Sequence, residues 1–165
     1  MFTGPAAMEE TVKTSSLVKS ARILHFASHA LLDEKQPELS GLRLAPSGSA
    51  INDGLLQVRE IFNLELRAEL VVLSACQTGL GKEVSGEGMI GMTHAFLYAG
   101  AGSIVVSLWK VDDQATADLM VSFYRYLQQN GKSEALRRAK LDLIDRSRYS
   151  NPYFWAAFTL VGLPQ

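Results

Sequence analysis

Leu70-Val71-Val72-Leu73-Ser74-Ala75-Cys76-Gln77-Thr78-Gly79-Leu80-Gly81 reads as a buried apolar strand that delivers the chain's single cysteine into a glycine-bearing loop. A nearly all-apolar strand is what a parallel sheet needs when helices cover both of its faces. A second apolar run, Ile23-Leu24-His25-Phe26-Ala27-Ser28-His29, ends on a histidine in the same way. In a parallel sheet both ends emerge at the carboxyl edge, where the reactive groups of such folds gather. A lone thiol and an imidazole brought together there are the minimum kit for a cysteine nucleophile.

Working outward, residues 103–108 form a third apolar run. The patterns between these runs are helical: residues 56–63, 89–98, 114–129 and a long stretch opened by Ser133 and Glu134. Gly100 follows the second of these helices as a C-terminal cap, and Asp112 or Asp113 caps the third at its N-terminus. Strands alternating with helices predict an α/β fold with a doubly wound parallel sheet. The segment 30–54 is rich in Pro, Gly and Ser; within it Gly41-Leu42-Arg43-Leu44-Ala45-Pro46 predicts a short edge strand stopped by the proline. Residues 9–19 predict a weak surface helix, 85–88 a loop, and 154–161 a last strand after the Asn151-Pro152 break.

The chain has 165 residues, a length that suits one domain. Its 16 basic and 17 acidic side chains nearly cancel, which argues against a nucleic-acid partner, since that requires a basic face. One cysteine excludes an internal disulfide and fits a reducing cytoplasm. The first ten residues lack a basic segment followed by an apolar core, so no signal peptide is expected. The least polar stretch, 95–109, is interrupted by Gly100 and Gly102 and is short for a membrane span, so no membrane partner is expected either.

Each candidate group has a plainer alternative. Cys76 as a nucleophile requires a thiolate, which a neighbouring imidazolium would favour; otherwise it is a small buried core residue. His29 is either its acid/base partner or a polar loop residue. His25 sits mid-strand and reads as a satisfied interior histidine, and His94 as a helix packing or surface residue. Asp112 and Asp113 are either helix-capping groups or carboxylates of a substrate pocket facing a basic side chain. Glycines 79, 81, 86 and 88 lack the Gly-Lys-Ser/Thr ending of a phosphate loop. Three histidines and one cysteine without close ligand spacing give no zinc site, and no cofactor is expected.

Several motifs in order resemble the CHAT domain. They are His25-Phe26-Ala27-Ser28-His29, Leu73-Ser74-Ala75-Cys76-Gln77-Thr78-Gly79, Gly86-Glu87-Gly88, Ala95-Phe96-Leu97-Tyr98-Ala99-Gly100-Ala101, Ser107-Leu108-Trp109-Lys110-Val111-Asp112-Asp113 and the closing Asn151-Pro152-Tyr153-Phe154-Trp155-Ala156-Ala157-Phe158. The CHAT family comprises caspase-like bacterial cysteine proteases related to separase and often joined to tetratricopeptide repeats. The resemblance implies a caspase-like three-layer sandwich with a mostly parallel sheet, one domain over residues 1–165 with 1–20 as a polar helix or tail. It also implies a missing part of the usual N-terminal region, hence an open sheet edge that invites self-association.

In function, the resemblance implies a cysteine endopeptidase acting on a protein or peptide and regulated by a repeat domain or protein partner. Cys76 and His29 fall on the catalytic positions. The backbone N–H groups of Cys76 and Ala30 would hold the oxyanion. Asp113, with Asp112 beside it, would line the pocket for the side chain before the scissile bond. The alternative is a caspase-like interaction module with weak or no catalysis. Ala30 stands where the family usually has glycine; a site demanding positive φ would strain it by about 1 kcal/mol.

Overall fold

A computed structural model describes residues 1–33, 35–49, 51–74, 76–77 and 87–165, with the backbone alone at 76, 77 and 87. The glycine-bearing part of the loop after Cys76, with Gly79 and Gly81, and residues 85–86 of the loop read over 85–88 lie outside the described residues, as does Ala75; residues 87 and 88 of that loop already belong to a helix. In chain order the elements are α1 (Glu9–Thr14), α2 (Ser16–Ser20), β1 (Ile23–Phe26), β2 (His29–Leu31), β3 (Gly41–Arg43), β4 (Leu55–Gln57) and α3 (Val58–Ile61). They continue as β5 (Leu70–Leu73), β6 (Cys76–Gln77), α4 (Glu87–Tyr98), β7 (Ser103–Ser107), α5 (Asp113–Leu127), α6 (Lys132–Ile144), α7 (Pro152–Trp155) and β8 (Phe158–Gly162).

The fold is mixed α/β in three layers, as the resemblance implies. The main sheet has the order β1-β5-β7-β8. β1, β5 and β7 run parallel, and β8 joins β7 antiparallel. Successive side chains of β5 and β7 alternate between two cores. Val71, Leu73, Ile104 and Val106 enter one, with Met92 and Phe96 of α4. Leu70, Val72 and Val105 enter the other, with Leu119 and Phe123 of α5 and Leu136 and Leu143 of α6. Coverage on both faces is why these strands carry no polar alternation.

A second, smaller sheet has the order β4-β3-β2-β6. Its β2/β6 pair prolongs the β1/β5 pair after a break. Phe26 faces Leu73 in the first pair, and three residues further along both chains His29 faces Cys76 in the second. The parallel register is therefore carried across the break unchanged.

Four sequence expectations change. The strand expected over 41–46 is β3, which ends at Arg43 ahead of the proline, and it is interior, because β4 occupies the edge beyond it; Gly41 is required there, since a Cβ would lie 2.6 Å from the Leu56 carbonyl oxygen. The segment read as helix over 56–63 is β4 followed by a four-residue helix whose Gln57 and Glu60 form a capping box. The last strand begins at Phe158; before it, Asn151 caps α7 by accepting from the Tyr153 N–H, with Pro152 at the first helical position. The N-terminal helix is two pieces divided at Ser15, and it is anchored: Val12 and Val18 enter the α4-side core.

Glu9 in α1 is fully buried. One of its carboxylate oxygens accepts from the Gly54 N–H at 2.8 Å, and the other pairs with Lys13. Lys13 also donates to Glu60 at 2.7 Å and to Asn52 Oδ1 at 3.1 Å. Burial opposes the Lys13 charge, but the hydrogen bonds it donates to Glu60 and Glu9 outweigh it and hold its pKa above the ordinary lysine value. A buried carboxylate is tolerated because its partners replace water.

Candidate active site

β1 and β5 are neighbouring parallel strands, so their chains leave the main sheet at one rim. Beyond them lie the strands of the second sheet, β2 after β1 and β6 after β5. There His29 and Cys76 are direct register partners of the parallel β2/β6 pair. The two residues singled out in the sequence are thus brought side by side at the backbone. They open β2 and β6 rather than ending β1 and β5, and between β1 and β2 the chain bends at Ser28.

The second sheet has one dry face and one wet face. Ala30, Leu42 and Leu56, register partners across β2, β3 and β4, are all 0% exposed and lie in the α4-side core. The neighbouring row, Arg43 and His29, is exposed. Register partners share a face of a sheet. The row that holds His29 is therefore the row opposite to the core row, and Cys76 is its backbone register partner.

Ala30 sits within β2 between Leu42 of β3 and Gln77 of β6. Its backbone is extended and needs no left-handed conformation, so the strain expected from the lack of glycine does not arise. Its amide belongs to a two-sided ladder position, which sets a condition on any oxyanion role.

Asp112 and Asp113 lie beyond β7, whose Val106 is the register partner of Leu73. They follow the same rim as His29 and Cys76. The Asp112 carboxylate accepts from the Ala115 N–H at 2.9 Å and caps α5, as the simpler alternative predicts. Asp113 is exposed in the first turn of α5, where a carboxylate complements the helix dipole. Before them, Trp109 donates its indole N–H to the Tyr153 carbonyl at 3.1 Å, tying this segment to α7.

His25 is not a lone interior residue. Its Nε2 lies 2.6 Å from Ser74 Oγ and its Nδ1 3.0 Å from the Tyr124 hydroxyl of α5. The residue keeps exposed surface, yet its ring is flanked on both sides, and burial there pushes its pKa below the ordinary histidine value. His94 is exposed on α4. Among the described residues no group of three or more His, Cys, Asp or Glu side chains could hold a metal. No helix of the described residues is long and apolar enough to cross a membrane.

A family model described as the CHAT domain matches residues 1–163. The chain is 36% identical over 109 residues to tetratricopeptide repeat protein 28 of Mus musculus, covering 66% of this chain and 4% of that protein. It is 34% identical over 125 residues to the Homo sapiens protein of the same name, covering 72% of this chain and 5% of that protein. The chain thus spans 4 to 5% of the length of these curated relatives. Both relatives are mammalian, so the bacterial setting implied by the resemblance does not extend to them.

Proposed function

Because the chain belongs to the CHAT domain family, we propose that it is a caspase-like cysteine endopeptidase module that works beside a repeat region or protein partner. The observation that carries this reading is the register pairing of His29 with Cys76 in β2 and β6. Cys76 would attack the substrate carbonyl as a thiolate, and His29 would protonate the departing amine as the C–N bond breaks. Water, deprotonated by His29, would then hydrolyse the thioester and free the thiol. The Cys76 N–H would donate to the oxyanion, with the Ala30 N–H joining it once the substrate releases that amide from the ladder. Asp113 would pair with a basic side chain preceding the scissile bond. A reducing cytoplasm suits a working thiol.

A second reading, an interaction module that keeps the fold without catalysis, is favoured by the ladder position of Ala30 and by relatives named for their repeats. Labelling with a peptide-based electrophile separates the two. The endopeptidase reading expects stoichiometric modification of Cys76, absent in Cys76→Ala and slowed in His29→Ala. Equal, slow labelling of the parent and His29→Ala, with partner binding intact in Cys76→Ala, would establish the interaction module instead.

A further inference from the structure

The contact set Tyr124–His25–Ser74 joins α5, β1 and the end of β5, and the proposed reaction leaves it unused. The rings of His25 and Tyr124 lie 5.7 Å apart, tilted by 38°. Burial pushes the Tyr124 hydroxyl up to about 12 and the imidazole down, so at neutral pH the phenol keeps its proton and His25 is uncharged. The tautomer in which Tyr124 donates to Nδ1 keeps the ring proton on Nε2, donated to Ser74 Oγ, and leaves the Ser74 hydroxyl proton for the Phe26 carbonyl. Ser74 completes the chain: its hydroxyl and its N–H both point to the Phe26 carbonyl, at 3.5 and 3.1 Å.

These contacts sit where the main sheet ends. Phe26 and Leu73 form the last register row of the β1/β5 pair, and the next row described beyond it is His29 with Cys76. Around them the α5-side core is apolar, built from Val72, Val105, Leu119 and Phe123. Packing alone would be served by another aliphatic side chain at position 25, with no polar group to satisfy. Both ring nitrogens are occupied, so His25 is not placed to exchange a proton with a substrate.

We propose that His25 is a positioning residue, held by Tyr124 and holding Ser74, that fixes the row from which the His29 and Cys76 segments depart. The proposal rests on the endopeptidase reading above. It also links α5, which opens with Asp112 and Asp113, to the rim that carries His29 and Cys76. A slack contact would let the two segments separate, and catalysis is steep in such distances.

The test uses the intact chain with Tyr124→Phe, which keeps the ring, and Ser74→Ala, which removes one hydroxyl. Two readouts are taken: alkylation of Cys76 by iodoacetamide across pH, and turnover of a fluorogenic peptide library. In the parent, a reactive thiolate persisting well below the ordinary thiol range marks the Cys–His pair. Each variant should lose about tenfold in kcat with KM nearly unchanged, and should shift the acid limb of alkylation toward higher pH. The double variant should lose no more than either single one, because both break the same connection. Unchanged limbs and kcat in both variants, or losses that merely follow a lowered melting temperature, overturn the proposal alone. A parent whose thiol titrates in the ordinary range and which shows no turnover overturns the endopeptidase reading and the positioning role with it.

Discussion

Asp112 and Asp113 are adjacent, alike in charge and divided in task. The first is committed to the Ala115 N–H, and the second stands exposed at the head of α5. Asp112→Ala should therefore cost about 1 kcal/mol of stability, read as a lowered denaturant midpoint, with turnover per folded molecule little changed. Asp113→Ala should selectively weaken cleavage after Lys and Arg in a peptide panel. Equal losses for basic and neutral peptides would remove Asp113 from the pocket and leave it a helix-terminus charge. The same residue scale shows what a single sequence hides. Glu9 reads as a surface residue because glutamate is rarely buried, yet its two-point accommodation by Lys13 and Gly54 comes from positions that are far apart or unremarkable in sequence. His25 reads as a satisfied interior histidine; it is satisfied, but it keeps exposed surface, and its partners Ser74 and Tyr124 are 49 and 99 residues away.

Among elements, the end of α4 is the most constrained. Gly100 adopts φ 109°, and a Cβ there would run into the Leu66 carbonyl. That carbonyl cannot easily retreat, because the neighbouring Leu66 N–H is bonded to the Ala99 oxygen at 2.7 Å. Gly100→Ala should destabilise the fold by about 1–3 kcal/mol, measurable by chemical denaturation. A midpoint equal to that of the parent would show that the turn relaxes. This cap was legible in the sequence, as were β5, β7, α5 and α6, since long apolar runs and helical periods outlast local ambiguity. β4 was not. Three residues cannot display an alternation, and the helical spacing of Val58 and Ile61 extended the reading backwards over Leu56 and Gln57. Nor was the break between β1 and β2, because Ala27-Ser28 carries no Gly or Pro turn signal to mark the bend at Ser28.

At the scale of the molecule, the main sheet ends at β1, which pairs only with β5 among the described residues. The Arg22 and Phe26 carbonyls accept bonds from the β5 side, so by alternation the backbone groups of Ile23 and His25 face outward. Ile23 itself is 43% exposed, and a groove of about 580 Å³ opens beside it against Leu70, Tyr124 and Leu127. An unpaired edge of this kind invites a further strand. The isolated chain should associate as its concentration rises, and Ile23→Lys should reverse this. Light scattering that finds a monodisperse monomer at high concentration would show that the edge is self-sufficient.

Phe26 and His29 are separated by as many residues as Leu73 and Cys76, and this equality has a consequence for how such a chain can vary. A deletion or insertion in either connector would slide one partner of the His29/Cys76 row past the other and turn the displaced strand's core side toward solvent. Changes of length that a surface loop absorbs freely could persist here only as matched pairs, one in each connector. The spacing of two distant words in the chain is thereby bound into a single inherited quantity.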